Sequence, residues 1–94
     1  MSPRPTRTIR SSLTKKGFEE ENSHHLYLHL CIDGRATHLF TFISHGSHEC
    51  SDRLLGKMAR QLRLSRAQFD ALIDCAMDRD ALVAILMERG EIKG

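Results

Sequence analysis

The side chains best suited to chemistry in this chain are imidazoles. Six histidines occur in 94 residues, one of them in the pair Ser23-His24 at the start of an alternating apolar run. A histidine titrates near neutral pH and can take or give a proton in phosphodiester cleavage. RNA brings its own nucleophile, the 2′-hydroxyl, so one such base and a few phosphate-binding cations suffice for slow cutting. Ser23 is then available to orient the imidazole or to bind a phosphate oxygen. On spacing alone the plainer reading, that His24 is the polar end of a strand, stays open.

Two further constellations compete with it. His45, His48 and Cys50 lie close in sequence, while His25, His29 and Cys31 share one strand face, with His29 opposite His38 at chelating distance. Zinc takes these ligand types, but there is no Cys-x-x-Cys pair and no His-x-x-x-His helix. Ligand types without ligand spacing are weak grounds for a site, and neither a metal nor a cofactor is expected. The cations are more orderly. Arg7, Arg10, Lys15 and Lys16 crowd an amino-terminal segment that holds no acid, and Arg53, Lys57 and Arg60 recur along one side of a helical pattern. Both sets suit a phosphate backbone, and Tyr27, Phe40 and Phe42 can stack bases if their face is open. The alternative is an ordinary solvated helix face over core aromatics.

Such residues need elements to position them. From Ser23 to Ile43 the pattern is a β-hairpin whose turn, Asp33-Gly34, supplies the positive φ angles of a type I′ loop. Alternation puts Leu26, Leu28, Leu30 and Ile32 on one face. A two-residue loop without irregularity sets Ile32 opposite Arg35, Leu30 opposite Thr37, Leu28 opposite Leu39 and His24 opposite Ile43. The other face then carries His25, Tyr27, His29 and Cys31 opposite Phe42, Phe40, His38 and Ala36, and a bulge would shift this register.

Before the hairpin, Ile9 and Leu13 mark a short helix from about Thr8 to Lys16, with Gly17 past its end. Phe18 to Asn22 reads as a strand with Glu19, Glu20 and Glu21 on a solvated edge. After the hairpin, residues 44 to 50 form a polar loop. Ser51 or Asp52 caps a helix to about Arg63, Ser65 and Gln68 have capping-box spacing for another, and a last helix runs from about Asp78 to Gly90. The order is helix, three strands, then helices: an α+β fold, one small domain over residues 1–94, with helices on one sheet face.

The net charge of +2 is too small to announce nucleic acid by itself; its distribution says more. No apolar run approaches membrane-spanning length and no secretory h-region is present, so a cytoplasmic protein without membrane contact is expected. Cys31, Cys50 and Cys75 form no paired spacing and are expected to be reduced thiols.

The runs Lys15-Lys16-Gly17-Phe18, Asn22-Ser23-His24-His25 and Ile43-Ser44-His45-Gly46, followed by a helix rich in leucine and basic residues, resemble the HicA family of mRNA-interferase toxins. The resemblance covers about residues 8 to 63. It implies a double-stranded-RNA-binding-domain-like core, helix, three-stranded antiparallel sheet, helix, and ribosome-independent cleavage of mRNA by the histidine of a Gly-Ser-His type motif. It also implies a HicB-like antitoxin that masks that histidine. Carried onto this sequence, His24 is the catalytic residue with Ser23 beside it, and His45 falls in a loop suited to a structural or phosphate-contacting role. Asn22 stands where the family usually has glycine, and the helical extension over residues 65–90 exceeds a minimal HicA. That extension completes the core, forms a homo-oligomer, or marks a relative that binds RNA without cutting it. A non-catalytic RNA-binding module and a protein-interaction module on the same fold are the alternatives to the ribonuclease.

Overall fold

A computed structural model describes residues 4–44, 46 and 48–92. In chain order the elements are β1 (Arg4–Pro5), α1 (Thr6–Lys15), β2 (Phe18–Asn22), β3 (Leu26–Ile32), β4 (Arg35–Ile43), β5 (Glu49–Cys50), α2 (Asp52–Gln61), α3 (Arg66–Ile73) and α4 (Arg79–Glu88). An antiparallel sheet runs β2-β3-β4, and β1 pairs separately with β5. The fold is a small α+β domain, as the order of sequence patterns predicts.

The alternation in the hairpin decides which side of the sheet is covered. Leu28, Leu30, Leu39 and Ile43 join one hydrophobic cluster with Ile9 and Leu13 of α1, Leu55 and Met58 of α2, Phe69 and Leu72 of α3, and Leu82 and Leu86 of α4. All four helices therefore contribute apolar residues to one core on that side of the sheet, with α3 packed against α1 and α2, at roughly 25 cal/mol for each Å² of apolar surface removed from water. The helices beyond residue 65 are core elements rather than an appendage. Their starts are the ones their sequence advertises: Ser51 accepts from the Leu54 N–H, Ser65 and Gln68 form a reciprocal capping box, and Asp78 accepts from the Ala81 N–H.

The hairpin turn is as expected, with positive φ at both Asp33 (52°) and Gly34 (77°). The register beyond it is not. Ile32 and Cys31 face Arg35 and Ala36, but His29 then faces Phe40, Leu28 faces Thr41, Tyr27 faces Phe42 and Leu26 faces Ile43. Between these blocks β4 carries three residues, Thr37 to Leu39, against Leu30 alone. The pairs Leu28–Leu39, Leu30–Thr37, Tyr27–Phe40, His25–Phe42, His29–His38 and His24–Ile43 are thereby corrected. The hydroxyl of Thr37 stabilises the bulge, donating to the Leu30 carbonyl at 2.9 Å and accepting from the Leu39 N–H at 3.2 Å. Because two residues are inserted rather than one, parity is kept and the paired side chains on either side of the bulge stay on their expected faces. A second correction concerns Ser23 to His25. They form the β2–β3 turn, and the strand starts only at Leu26.

One clasp joins the layers at the far end of α1. Arg79 donates from Nη1 to the Lys16 carbonyl and from Nη2 to the Cys31 carbonyl, both at 2.9 Å. It thus satisfies a helix-terminal carbonyl that α1 cannot pair itself. The guanidinium lies over Gly17, whose φ is +93°, and a Cβ there would stand 1.7 Å from Arg79 Nη1. Gly17→Ala is expected to cost about 2 kcal/mol through backbone strain plus displacement of Arg79. Gly34→Ala, with positive φ but open space around it, should cost only the strain, about 1 kcal/mol. Urea unfolding midpoints of the two variants check this, and equal losses would remove the clasp from the account.

Candidate nucleic-acid interface and active site

Topology gathers one set of residues at one end of the domain. Because β2 follows α1 after a tight turn, it runs back antiparallel to the helix, a direction also shown by the Arg10–Glu20 ion pair at 2.8 Å. The end of β2 therefore lies beside the start of α1. Asn22 pairs with Leu26, and Leu26 with Ile43, so the last residues of β2 and β4 and the first of β3 form one row across the sheet. The β1–β5 pairing and the bond from the Thr6 N–H to the His48 carbonyl at 2.9 Å bring residues 48–50, and with them the start of α2, to the same end. His24, Ser44, His48, Arg7 and the N-termini of both helices thus share a neighbourhood.

His24 sits on the exposed β2–β3 turn and makes no hydrogen bond or ion pair with another described residue. Ser23 beside it is exposed, and its N–H donates to the His25 carbonyl at 3.0 Å. Arg7 is exposed and, with Pro5, Thr6, Arg10 and His48, lines a shallow cavity of about 390 Å³ at the start of α1. Pro5 offers no side-chain cap to this helix, and its first turn holds no acid, so its partial positive charge adds to that of Arg7. Arg53, Lys57 and Arg60 lie exposed along α2 and line a larger cavity of about 620 Å³ with Asp52, Gly56 and Arg66. None of the three is in an ion pair with another described residue.

The remaining candidates are placed differently. Arg10 is held by Glu20 through two hydrogen bonds. Lys15 is exposed but occupies the last turn of α1, about 12 Å further along the axis than Arg7. Lys16 is 6% exposed and turns its ammonium to Cys75 Sγ at 3.4 Å, which takes it out of the exposed cations. His45 lies outside the described residues. Pro5, Thr6 and His48 escaped the sequence reading as lining residues because only the β1–β5 pairing brings them together.

The imidazole-rich face is a different surface from this end. His29 stacks near Phe40, with ring centroids 5.5 Å apart, while His38 lies in the bulge with its Nε2 3.7 Å from Glu91. The expected His29–His38 chelating pair is therefore replaced, because the inserted residues carry His38 away. Cys50 is fully buried against the Thr6 hydroxyl, and burial pushes its thiol pKa up. Cys31 is raised as well, by burial first and then by the Glu19 carboxylate to which it donates at 2.9 Å. Both remain thiols at neutral pH rather than nucleophiles. Among the described residues no three His, Cys, Asp or Glu side chains converge to hold a metal ion, and no helix is long and apolar enough to cross a membrane.

Comparisons with protein families, with curated proteins and with solved structures return no match.

The paired cations predict an acid-sensitive seam. A hydrogen bond from Arg10 holds Glu20 below its ordinary pKa against the opposing effect of burial, and Arg4 does the same for Asp74. Because the folded values are depressed, their stabilisation is complete above the unfolded values near pH 4 and is lost as pH falls below them. Urea unfolding between about pH 5 and 3 should show stability falling with pH. Replacing Arg4 and Arg10 together by Gln should flatten that fall; an unchanged slope would assign the sensitivity elsewhere.

Proposed function

We propose that the protein is a HicA-like ribonuclease that binds RNA at the end of the domain where the β2–β3 turn meets the N-termini of α1 and α2. His24 is the general acid/base, acting on the 2′-hydroxyl or the leaving oxygen of a phosphodiester. The observation that supports this most is the exposure of His24 on the β2–β3 turn, at the end of the sheet toward which α1 begins. Arg7 and the uncapped start of α1 are suited to the scissile phosphate, and Arg53, Lys57 and Arg60 to flanking phosphates, as a basic stripe along a helix is. The same reading brings a HicB-like antitoxin as a protein partner that covers His24, and the cytoplasm as the site of action.

The test is incubation of mRNA with the protein and with His24→Ala, in EDTA. Cleavage should fall by at least about 10²-fold in the variant, the scale of a general acid/base contribution, while RNA affinity is kept. Equal rates in the two proteins would remove His24 from catalysis. In filter binding, Lys57→Gln with Arg60→Gln should weaken RNA affinity for all sequences alike. It should also reduce the salt dependence by about one released counterion per lost contact.

Non-catalytic RNA binding is the second reading, favoured by one specific observation. No described residue holds the His24 ring in place, whereas general bases are commonly oriented by a partner. Salt-dependent RNA binding that survives His24→Ala, with no cleavage by either protein, selects it.

A further inference from the structure

Among the described residues no layer covers the face of the sheet away from the helices. Tyr27 and His29 of β3, Phe40 and Phe42 of β4, and His25 of the β2–β3 turn form one continuous ring surface on it. His25 stacks on Phe42 at 5.1 Å between centroids, Tyr27 lies 5.9 Å from Phe40 and 5.8 Å from Phe42, and His29 lies 5.5 Å from Phe40. Phe40 is 39% exposed. Three of the chain's five Phe and Tyr residues, together with two histidines, lie on this face, an uncommon use of scarce material, since isolated exposed apolar residues rather than clusters are the norm.

The charge beside the rings is negative. Register puts Glu19 against His29 and Glu21 against Tyr27, so both carboxylates stand on the aromatic face. They border a cavity of about 420 Å³ that also takes in Cys31 and Ala36. Glu21 holds His29 Nε2 at 3.0 Å. As traced by strand pairing, this face presents no arginine or lysine. At its other end His25 Nδ1 is buried without a hydrogen-bond partner, an unmet demand that an incoming polar group would satisfy. Phosphate is repelled by the two carboxylates. A cation is attracted by them and by the ring faces together.

We infer that this face docks a polypeptide segment that carries arginine or lysine among apolar residues, on the opposite side of the sheet from the helices. The docking is face-on. Strand addition is discouraged at both edges, at β2 by three consecutive glutamates and at β4 by the bulge. This inference stands apart from the ribonuclease reading and needs no contact with His24.

The chain supplies its own reporter. Tyr27 is the single tyrosine and there is no tryptophan, so intrinsic emission reads the centre of this face alone. Titration of the full chain with a short peptide alternating arginine and leucine should change Tyr27 emission saturably. A glutamate–leucine peptide should not. Phe40→Ala, and separately Glu19→Gln with Glu21→Gln, should each weaken the peptide about tenfold or more, with circular dichroism confirming that each variant is folded. If Phe40→Ala does not fold, the glutamine pair alone decides. An unchanged affinity in the glutamine pair overturns the inference. So does an equal response to oligouridylate, which would make the face an RNA-stacking platform, or a Tyr27 signal that follows protein concentration with a dimer in sedimentation.

Discussion

A sheet of three strands, backed by helices on one side only, is the constraint from which the rest of this molecule follows. Leu28, Leu30, Leu39 and Ile43 turn one way into a core shared by all four helices. Among the described residues no second layer covers the other side, where the side chains that alternate with those leucines lie. Here they are a row of rings. Stacked on one another they shield much of their own area, which lets an aromatic face stand in water without a lid.

Holding a thin domain together then falls to its seams. Arg79 ties the end of α1 to the end of β3. Arg66 reaches Asp52 at 2.7 Å and Asp70 at 3.1 Å, while Arg4 reaches Asp70 and Asp74. These pairs connect β1, the start of α2 and the length of α3. Exposed ion pairs of this kind contribute little singly, but they fix orientation where the core does not reach. The consequence is that α3, through Arg4 and Asp52, helps to position the end of the domain where α1 and α2 begin, while α4 secures the far end of α1.

The fold groups charges locally in a way that the net value hides. A net charge of +2 hides exposed arginine and lysine on the helix side and glutamates along β2 beside the rings. Some cations are already spoken for, Arg10 by Glu20 and Lys16 by burial beside Cys75, so a count of basic residues overstates the surface open to a polyanion.

Local rules read from the residues determined a great deal here. Capping chemistry at Ser51 and Ser65 set two helix starts, because a cap is a contact within one turn. Asp33-Gly34 set the hairpin, because positive φ is a property of the dipeptide. The faces of β3 and β4 were legible because side-chain direction depends only on parity. What local rules did not determine was the pairing partner. The bulge at Thr37 to Leu39 changes neighbours without changing faces, and it arises from the hydroxyl of Thr37 answering a carbonyl on the other strand, a contact that alternation does not encode. Equally non-local are the burial of Lys16, the convergence of His24 with the start of α1, and the glutamates beside Tyr27 and His29. Each depends on which segments meet across the sheet, and only the folded chain decides that.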